Sequence, residues 1–294
     1  MVSEVIVPAV GFSCSLSKFK LTSSPFSCIS VPSSAPQITP ILRRNQAQKN
    51  SIKAMLHQSP IVSDLYAFGF SVSLSLAILR VTEETARRNV FSRSLNRKVI
   101  HVAIGLAFMA CWPLFYPGHR GVLLASLVPG VQVLRMLLIG SGLWKDEDAV
   151  KSISRFGNKR ELLAGPLYYC ATITLVSLVY WISPVSVAVI CNLCAGDGFA
   201  DIIGRKFGKV KLAYNEEKSV IGSVAMMVCG FLSSVAYMVF FAKMGMIEGS
   251  ANMALGFLVV SLACALVESL PVSSKIDDNL TVPLTALALG TILF

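Results

Sequence analysis

Long apolar segments recur along most of the chain and are separated by short polar stretches. Eight such segments lie at residues 62–80, 99–116, 121–140, 162–182, 184–204, 219–242, 253–272 and 280–294. A helix needs about 20 apolar residues to cross a bilayer, whereas a strand of a membrane barrel needs about 10. The pattern therefore predicts an all-α, polytopic membrane bundle of about eight transmembrane helices, with seven as the alternative because the last segment is short.

Composition agrees with this fold class. Hydrophobic residues make up 54% of the 294 residues and charged residues only 14%, against about 45–50% and about 25% in typical soluble domains. A soluble protein of this size could not remove so much apolar surface from water. The formal net charge of +10 is divided among an N-terminal segment and several loops. We therefore expect a lipid bilayer around the protein and no nucleic-acid partner.

The first 54 residues differ in composition from the rest of the chain. They hold eleven Ser, six basic residues and a single acid, Glu4, and they contain no long apolar run. An acid-poor, Ser-rich and basic segment is typical of an organelle transit peptide. We predict a plastid transit peptide over residues 1–54, cleaved near Ala54, and a membrane domain over residues 55–294. A mitochondrial presequence and a disordered cytosolic tail are the alternatives.

Basic residues divide unequally between alternate loops. The loops at 81–98, 141–161, 205–218 and 273–279 together hold sixteen Lys and Arg residues, and the loops between them hold only Arg120 and Lys243. In membrane proteins Lys and Arg accumulate in the loops on the cytoplasmic side, to which the stroma corresponds in a plastid. The sequence therefore predicts that the four basic loops share one face, the stromal face of a plastid membrane.

Acidic residues gather at the same face. Asp197 and Asp201 lie four residues apart and would share one side of a helix, while Asp277 and Asp278 lie in the last basic loop. Ionisable groups in membrane segments are costly and mark candidate functional sites. Since Mg²⁺ prefers a few carboxylates together with phosphate oxygens, we assign Asp197 and Asp201 as ligands of Mg²⁺ or Mn²⁺. All four aspartates are candidate catalytic residues.

Glycines and basic residues surround these acids. Glycine allows a nucleotide to approach the backbone, and cations neutralise phosphate charge, which is most of what phosphoryl transfer requires. The predicted nucleotide-binding residues are Gly196, Gly198, Gly204, Arg205, Lys206, Gly208, Lys218 and Gly222. Close helix packing is the alternative role of the glycines.

Further polar residues near this face are second-rank candidates. They are Arg97, Lys98, Glu161, Glu268 and Asn279. His101 lies in a predicted membrane segment near the same face. It is a candidate base or phosphate donor, with a structural role inside the bundle as the alternative.

Several blocks of the sequence resemble the plastid phytol kinase and farnesol kinase family, which is related to dolichol kinase. The matching blocks are residues 97–101, 161–168, 196–208, 214–223, 267–271 and 277–283. The most specific block reads Gly-Asp-Gly-Phe-Ala-Asp-Ile-Ile-Gly-Arg-Lys-Phe-Gly at 196–208. Together the blocks extend over essentially all of the chain after residue 54, in the order of the family.

This resemblance implies a kinase that phosphorylates an isoprenoid alcohol with CTP, or another nucleoside triphosphate, as donor. Phytol, farnesol and geranylgeraniol are all compatible acceptors. In dolichol kinase the segment that matches residues 197–223 is attributed to CTP binding. The chain departs from dolichol kinase at Ile221, where that enzyme usually has an acid before the glycine that matches Gly222.

A secondary transporter is the alternative function, with the acids binding a coupling ion. Transporters usually hold such an ion near the bilayer midplane, often between repeated halves of the chain. Here the acids collect at one face, and no internal repeat is evident in the sequence. These two features favour the kinase.

The alternation of basic loops can be tested by cysteine labelling in intact plastid membranes. Cysteines introduced at Lys151 and Lys211 should react with a membrane-impermeant maleimide from the stromal side, because both positions lie in basic loops. A cysteine at Glu248 should be protected until the membrane is permeabilised. Labelling of positions 151 and 211 from opposite sides would contradict the predicted span count.

Overall fold

The computed structural model describes residues 60–88, 90–154, 156–271 and 276–294, so the predicted transit peptide lies outside the described residues. Seven helices in the described part are long and apolar enough to cross a membrane. An eighth apolar helix, Asp278–Leu293, has 16 residues, which extend about 24 Å and fall short of a hydrocarbon core of about 30 Å. The predicted all-α bundle of seven to eight spans is confirmed.

The helices follow one another with short connections. They are α1 (Pro60–Arg87), α2 (Arg93–Ala110), α3 (His119–Ser141), α4 (Glu147–Ile153), α5 (Gly165–Val179), α6 (Pro184–Cys191), α7 (Asp197–Phe207), α8 (Val220–Lys243), α9 (Ala251–Ser269) and α10 (Asp278–Leu293). A π turn at Asn192–Gly196 joins α6 to α7 in one span. Two strands, β1 (Lys211–Leu212) and β2 (Asn215–Ser219), form an antiparallel hairpin between α7 and α8.

Side-chain caps begin the helices that enter the bundle from polar loops. Ser92 accepts a hydrogen bond from the Leu95 amide at the start of α2, and Ser219 does the same for Gly222 at the start of α8. Lipid offers no partners for the free amides of a first helical turn, so such caps stabilise helix ends near a bilayer. The short polar residues between the apolar segments therefore determine where these helices begin.

The span formed by α6 and α7 is the central element of the bundle. In its most apolar stretch 72% of residues are buried, against 22–39% in the other six long spans. Val189, Ile190 and Leu193 are fully enclosed by neighbouring helices. Most of this span is therefore committed to packing, and Asp197 is enclosed by the protein.

Two glycines bring α7 and α8 into close contact. A Cβ atom on Gly222 would lie 3.2 Å from the Ala200 carbonyl oxygen and 3.4 Å from Gly204 Cα. Small residues allow such backbone approach in membrane bundles. Helix packing, the alternative role for the glycines, therefore applies to Gly204 and Gly222, although both also line the site described below.

Close packing at Gly222 predicts a cost for a larger side chain. Gly222→Val should lower the thermal unfolding temperature of the protein in detergent, because overpacking costs about 1–3 kcal/mol and the opposing atoms belong to backbone. The matched control is Gly69→Val in α1, where no atom lies within 4 Å of the added Cβ. Equal unfolding temperatures for the two variants would contradict the packing role.

Candidate active site

A polar cavity of about 1,040 Å³ lies where the predicted basic loops meet the bundle. Ends of α2, α5, α7, α8, α9 and α10 surround it, together with β2. Thirteen of the eighteen candidate residues line this polar cavity: Arg97, Lys98, Glu161, Asp197, Asp201, Gly204, Arg205, Lys218, Gly222, Glu268, Asp277, Asp278 and Asn279. Segments that are distant in sequence, and that the alternation of loops places on one face, therefore meet at one site.

A buried ion pair forms the floor of the polar cavity. Lys98 Nζ, from the second turn of α2, lies 2.7 Å from Asp197 Oδ2, at the start of α7, and both side chains are at least 97% buried. Each of these buried charges offsets the desolvation cost of the other. Removing either one leaves an unpaired charge inside the protein, which is strongly destabilising. Lys98, a second-rank candidate from sequence, is thus the direct partner of the first-rank Asp197.

His101 lies beside this ion pair but outside the polar cavity. Its Nε2 donates a hydrogen bond to the Leu193 carbonyl oxygen at 2.8 Å and lies 3.4 Å from Asp197 Oδ2. Because a carbonyl oxygen only accepts, the proton is on Nε2. Tyr169 packs on the imidazole ring at 4.3 Å between centroids, and its hydroxyl donates to the His101 carbonyl oxygen at 2.6 Å. His101 is held firmly at the edge of the site.

The π turn before α7 gives this arrangement its local geometry. A π turn widens the helix by one residue, and such turns are frequent at functional sites. Here the turn includes Leu193, whose carbonyl accepts from His101, and ends at Gly196. Gly196 and Gly198 face neighbouring helices instead of the polar cavity: a Cβ on Gly196 would meet the Met226 carbonyl oxygen at 3.4 Å, and one on Gly198 would meet Val102.

Polar residues farther along α7 are more exposed. Asp201 Oδ1 lies 2.6 Å from Arg205 Nε, one turn away, and the Arg205 side chain is 57% exposed. Lys206 lies over the ring of Phe207 at 5.3 Å and does not line the polar cavity. Gly208 ends α7 against Ser219. Of the predicted cations on this helix, only Arg205 reaches the site.

The structure bears on where a metal ion could bind. Asp197 and Asp201 both line the polar cavity, yet each already has a cationic partner. Among the described residues, no group of three or more His, Cys, Asp or Glu side chains is arranged to hold a metal ion. A metal that enters with phosphate oxygens needs fewer protein ligands than one held by protein alone.

The β hairpin delivers Lys218 to the polar cavity. Asn215 Nδ2 donates to the Ser269 carbonyl oxygen at 3.0 Å, and the Tyr214 hydroxyl lies 2.8 Å from Ser269 Oγ, so the hairpin is fastened to the end of α9. Lys218, on β2, forms an ion pair with Glu268, which lies on α9 beside Ser269. Together these three contacts hold the loop between α7 and α8 in a fixed position against α9.

The carboxylates around Lys218 keep it charged. Burial lowers the pKa of the Lys218 ammonium, but the adjacent Glu268 carboxylate, with smaller contributions from Asp278 and Asp197, outweighs burial and raises the pKa above its ordinary value. Lys218 is therefore a permanent cation at physiological pH. The interaction also places Asp278 and Asp197 within electrostatic reach of one ammonium group.

The start of α10 closes the remaining side of the polar cavity. Asp277 caps this helix and accepts hydrogen bonds from the backbone amide of Asn279 at 3.0 Å and from Asn279 Nδ2 at 2.7 Å. A Cβ on Gly165, at the start of α5, would lie 3.0 Å from Asp277 Oδ2. The sequence analysis did not name Gly165 as a candidate site residue. Its place in the family block at 161–168 could have pointed to it, because a small residue is needed where Asp277 comes this close.

A narrow apolar slot of about 100 Å³ adjoins the polar cavity. The slot lies between α2, α3 and α5, and it shares Arg97, Ile153, Gly165, Pro166 and Asn279 with the polar cavity. His101 lines the slot. Sequence patterns did not reveal the slot, because apolar residues that line it look the same as apolar residues that face lipid.

Three comparisons with known proteins give one clear result. The chain is 55% identical over 240 residues to "Probable phytol kinase 3, chloroplastic" of Glycine max, covering 81% of this chain and 75% of that protein. It is 53% identical over 249 residues to "Farnesol kinase, chloroplastic" of Arabidopsis thaliana, covering 84% and 81%. It is 51% identical over 237 residues to "Probable phytol kinase 2, chloroplastic" of Oryza sativa subsp. japonica, covering 80% and 78%. No family model and no solved structure matches the chain.

The buried ion pair makes a prediction about stability. Lys98→Met should lower the unfolding temperature strongly, since removing one partner of a buried pair costs about 3–5 kcal/mol. The double variant Lys98→Met/Asp197→Asn leaves no uncompensated charge and should recover most of that loss. Thermal unfolding of the purified protein in nanodiscs measures both effects.

A surface ion pair provides the control for this cycle. Lys151 Nζ lies 3.7 Å from Glu147 Oε2, with side chains that are 64% and 87% exposed. Lys151→Met should therefore leave the unfolding temperature unchanged. A double variant whose loss equals the sum of the two single losses would show that Lys98 and Asp197 do not depend on one another.

Proposed function

Since the chain belongs to the family of plant phytol and farnesol kinases, we propose that it transfers a phosphoryl group from a nucleoside triphosphate to an isoprenoid alcohol. The observation that carries the proposal is the contact between the polar cavity and the apolar slot. A water-soluble, polyanionic donor and a lipid-soluble acceptor need sites of opposite polarity that share a wall. The described residues provide both at one end of the bundle.

The polar cavity has the size that a nucleotide requires. Its volume of about 1,040 Å³ lies just above the ~300–1,000 Å³ typical of small-molecule sites. Lys98, Arg205 and Lys218 line it and are the cations that would meet donor phosphates. CTP is the donor implied by the family resemblance, and we keep it as the first donor to test.

The charge of the polar cavity argues for a divalent cation with the donor. Five basic and seven acidic side chains line it, so a triphosphate alone would enter surroundings with an excess of negative charge. Mg²⁺ bound to the phosphates offsets that repulsion and stabilises charge during transfer. The residues present thus suit a metal that arrives with the nucleotide.

The ion pairs suggest how the carboxylates divide their roles. Breaking the exposed Asp201–Arg205 pair costs at most about 0.5 kcal/mol, whereas the Lys98–Asp197 pair is buried and costly to break. Asp201 is therefore a proposed metal ligand, and Asp278, which also lines the polar cavity, is proposed as the second. Asp197, between Lys98 and His101, is the proposed acceptor of the hydroxyl proton.

The cellular setting follows from the same relatives and from the basic loops. The relatives are named as chloroplastic, and the loops that are rich in Lys and Arg in the sequence contribute Arg97, Arg205 and Lys218 to the wall of the polar cavity. We place the protein in a plastid membrane with the polar cavity open to the stroma, where soluble nucleotide is present. A site at one end of the bundle also differs from the midplane site expected of a transporter.

The proposal is tested by assaying purified protein in nanodiscs. Farnesol, phytol and geranylgeraniol are offered with CTP, ATP, GTP and UTP in turn, and phosphorylated alcohol is measured by mass spectrometry. Asp197→Asn should reduce turnover by at least a hundredfold, since loss of about 3 kcal/mol of transition-state stabilisation corresponds to that factor. EDTA should abolish turnover, and added Mg²⁺ should restore it.

The control is Glu248→Gln, which changes an exposed carboxylate outside the polar cavity and should retain full activity. The Lys98→Met/Asp197→Asn variant separates stability from chemistry: it should fold but remain inactive. Absence of any phosphorylated alcohol with all four donors would reject the kinase. Full activity of Asp197→Asn would reject the proposed role of Asp197 but not the kinase activity.

A further inference from the structure

The apolar slot runs from the polar cavity into the membrane part of the bundle. Arg97, Gly165 and Asn279 lie at its mouth, where it meets the polar cavity. Phe108, on α2, and Ile173, on α5, line the other end. Eleven residues separate Arg97 from Phe108 on α2, a rise of about 16 Å, so the slot is elongated along the helices.

One buried polar atom at the mouth of the slot has no hydrogen-bond partner. Asn279 is 95% buried, and its Nδ2 donates to Asp277 Oδ1 at 2.7 Å, which fixes the orientation of the amide. The other amide atom, Asn279 Oδ1, is buried and accepts no hydrogen bond. An unsatisfied buried acceptor costs about 1–3 kcal/mol. A hydroxyl group that donates to this oxygen would remove that cost.

From these two features we infer that the slot holds the hydroxyl-proximal part of the isoprenoid alcohol, with the hydroxyl donating to Asn279 Oδ1. This inference rests on the proposed function and assigns the acceptor site within it. The alcohol's oxygen would then lie at the boundary with the polar cavity. Rotation about its C–O bond would turn the single hydroxyl proton from Asn279 Oδ1 towards Asp197, the proposed proton acceptor, before phosphoryl transfer. The apolar walls exclude a nucleotide, so the two substrates cannot exchange places.

The size of the slot limits how much of the alcohol it encloses. Its volume of about 100 Å³ is well below the ~300–1,000 Å³ of sites that surround a whole ligand. The slot therefore accommodates only the first part of the tail, and the remainder lies among lipid chains. Residues beside the first part of the tail, rather than residues at the bundle surface, determine whether an alcohol binds.

Cys170 offers a direct way to obstruct the slot. It is a half-buried free cysteine of α5 that lines the slot. Cys170→Phe should fill part of the narrow volume, whereas Cys170→Ala should leave the slot open. Cys229 of α8 is also half-buried and free, and it lines neither the slot nor the polar cavity. Cys229→Phe is therefore the matched control.

The first measurement is steady-state kinetics with farnesol and CTP. We expect Cys170→Phe to raise the KM for farnesol at least tenfold while the KM for CTP stays unchanged, and Cys229→Phe to behave as the unmodified protein. Cys170→Ala, which opens the slot instead of filling it, should not produce this rise. A Cys170→Phe enzyme with an unchanged KM for farnesol would overturn the inference.

The second measurement does not depend on turnover or on the folding of a variant. A farnesol analogue that carries a diazirine on its first isoprene unit is photolysed with the unmodified protein in nanodiscs, and the labelled peptides are identified. Labelling on α2, α3 and α5 that excess farnesol suppresses supports the slot. Labelling confined to α8 and α9 rejects it.

The two measurements also separate this inference from the proposed function. Suppressible labelling of the slot in a protein that phosphorylates no alcohol with any of the four nucleotides would support an alcohol site and reject the kinase. Phosphorylation of farnesol together with labelling confined to α8 and α9 would support the kinase and reject the slot.

Discussion

The ion pair between Lys98 and Asp197 is the contact on which the rest of the site depends. It joins α2 to the central span at the floor of the polar cavity, where both side chains are at least 97% buried. A charge in such surroundings carries a desolvation cost that only an opposite charge and hydrogen bonds can offset. The pair therefore restricts how α2 and α7 can be arranged. Because His101 lies one turn after Lys98 on α2, the same arrangement brings its side chain into hydrogen-bond contact with the Leu193 carbonyl oxygen. The floor of the polar cavity and one wall of the slot arise from the same contact.

The second constraint comes from the proposed reaction, whose two substrates would differ in polarity. The donor must remain among charges near water, and the acceptor must remain among apolar side chains. Helix ends satisfy this requirement because the polar caps and loops lie at the same level as the outer turns of apolar helices. Gly165 and Asn279 line both sites, so the polar cavity and the slot share part of a wall.

The fold and most of the residues that line the polar cavity were predictable from sequence. The contacts that these residues make with one another were not. Apolar segment lengths predicted the spans, and the alternation of basic loops brought Asp197, Lys218, Glu268 and Asp278 to one end. No pattern could show that Lys98 pairs with Asp197, 99 residues away, because that contact depends on how α2 and α7 pack. Gly196 and Gly198 were predicted to bind nucleotide and instead face other helices. A glycine beside an acid is compatible with either role, and only packing distinguishes them.

Charge balance within the site also explains why a metal belongs to the proposed reaction. Three cations that line the polar cavity each have a carboxylate partner: Lys98 with Asp197, Arg205 with Asp201, and Lys218 with Glu268. Such pairing is what a charged site inside a membrane protein requires for stability. In the proposed reaction a triphosphate would compete with these carboxylates for their cations, and Mg²⁺ bound to the triphosphate would add positive charge. The same pairing that stabilises the folded site would thus favour a donor that brings its own cation.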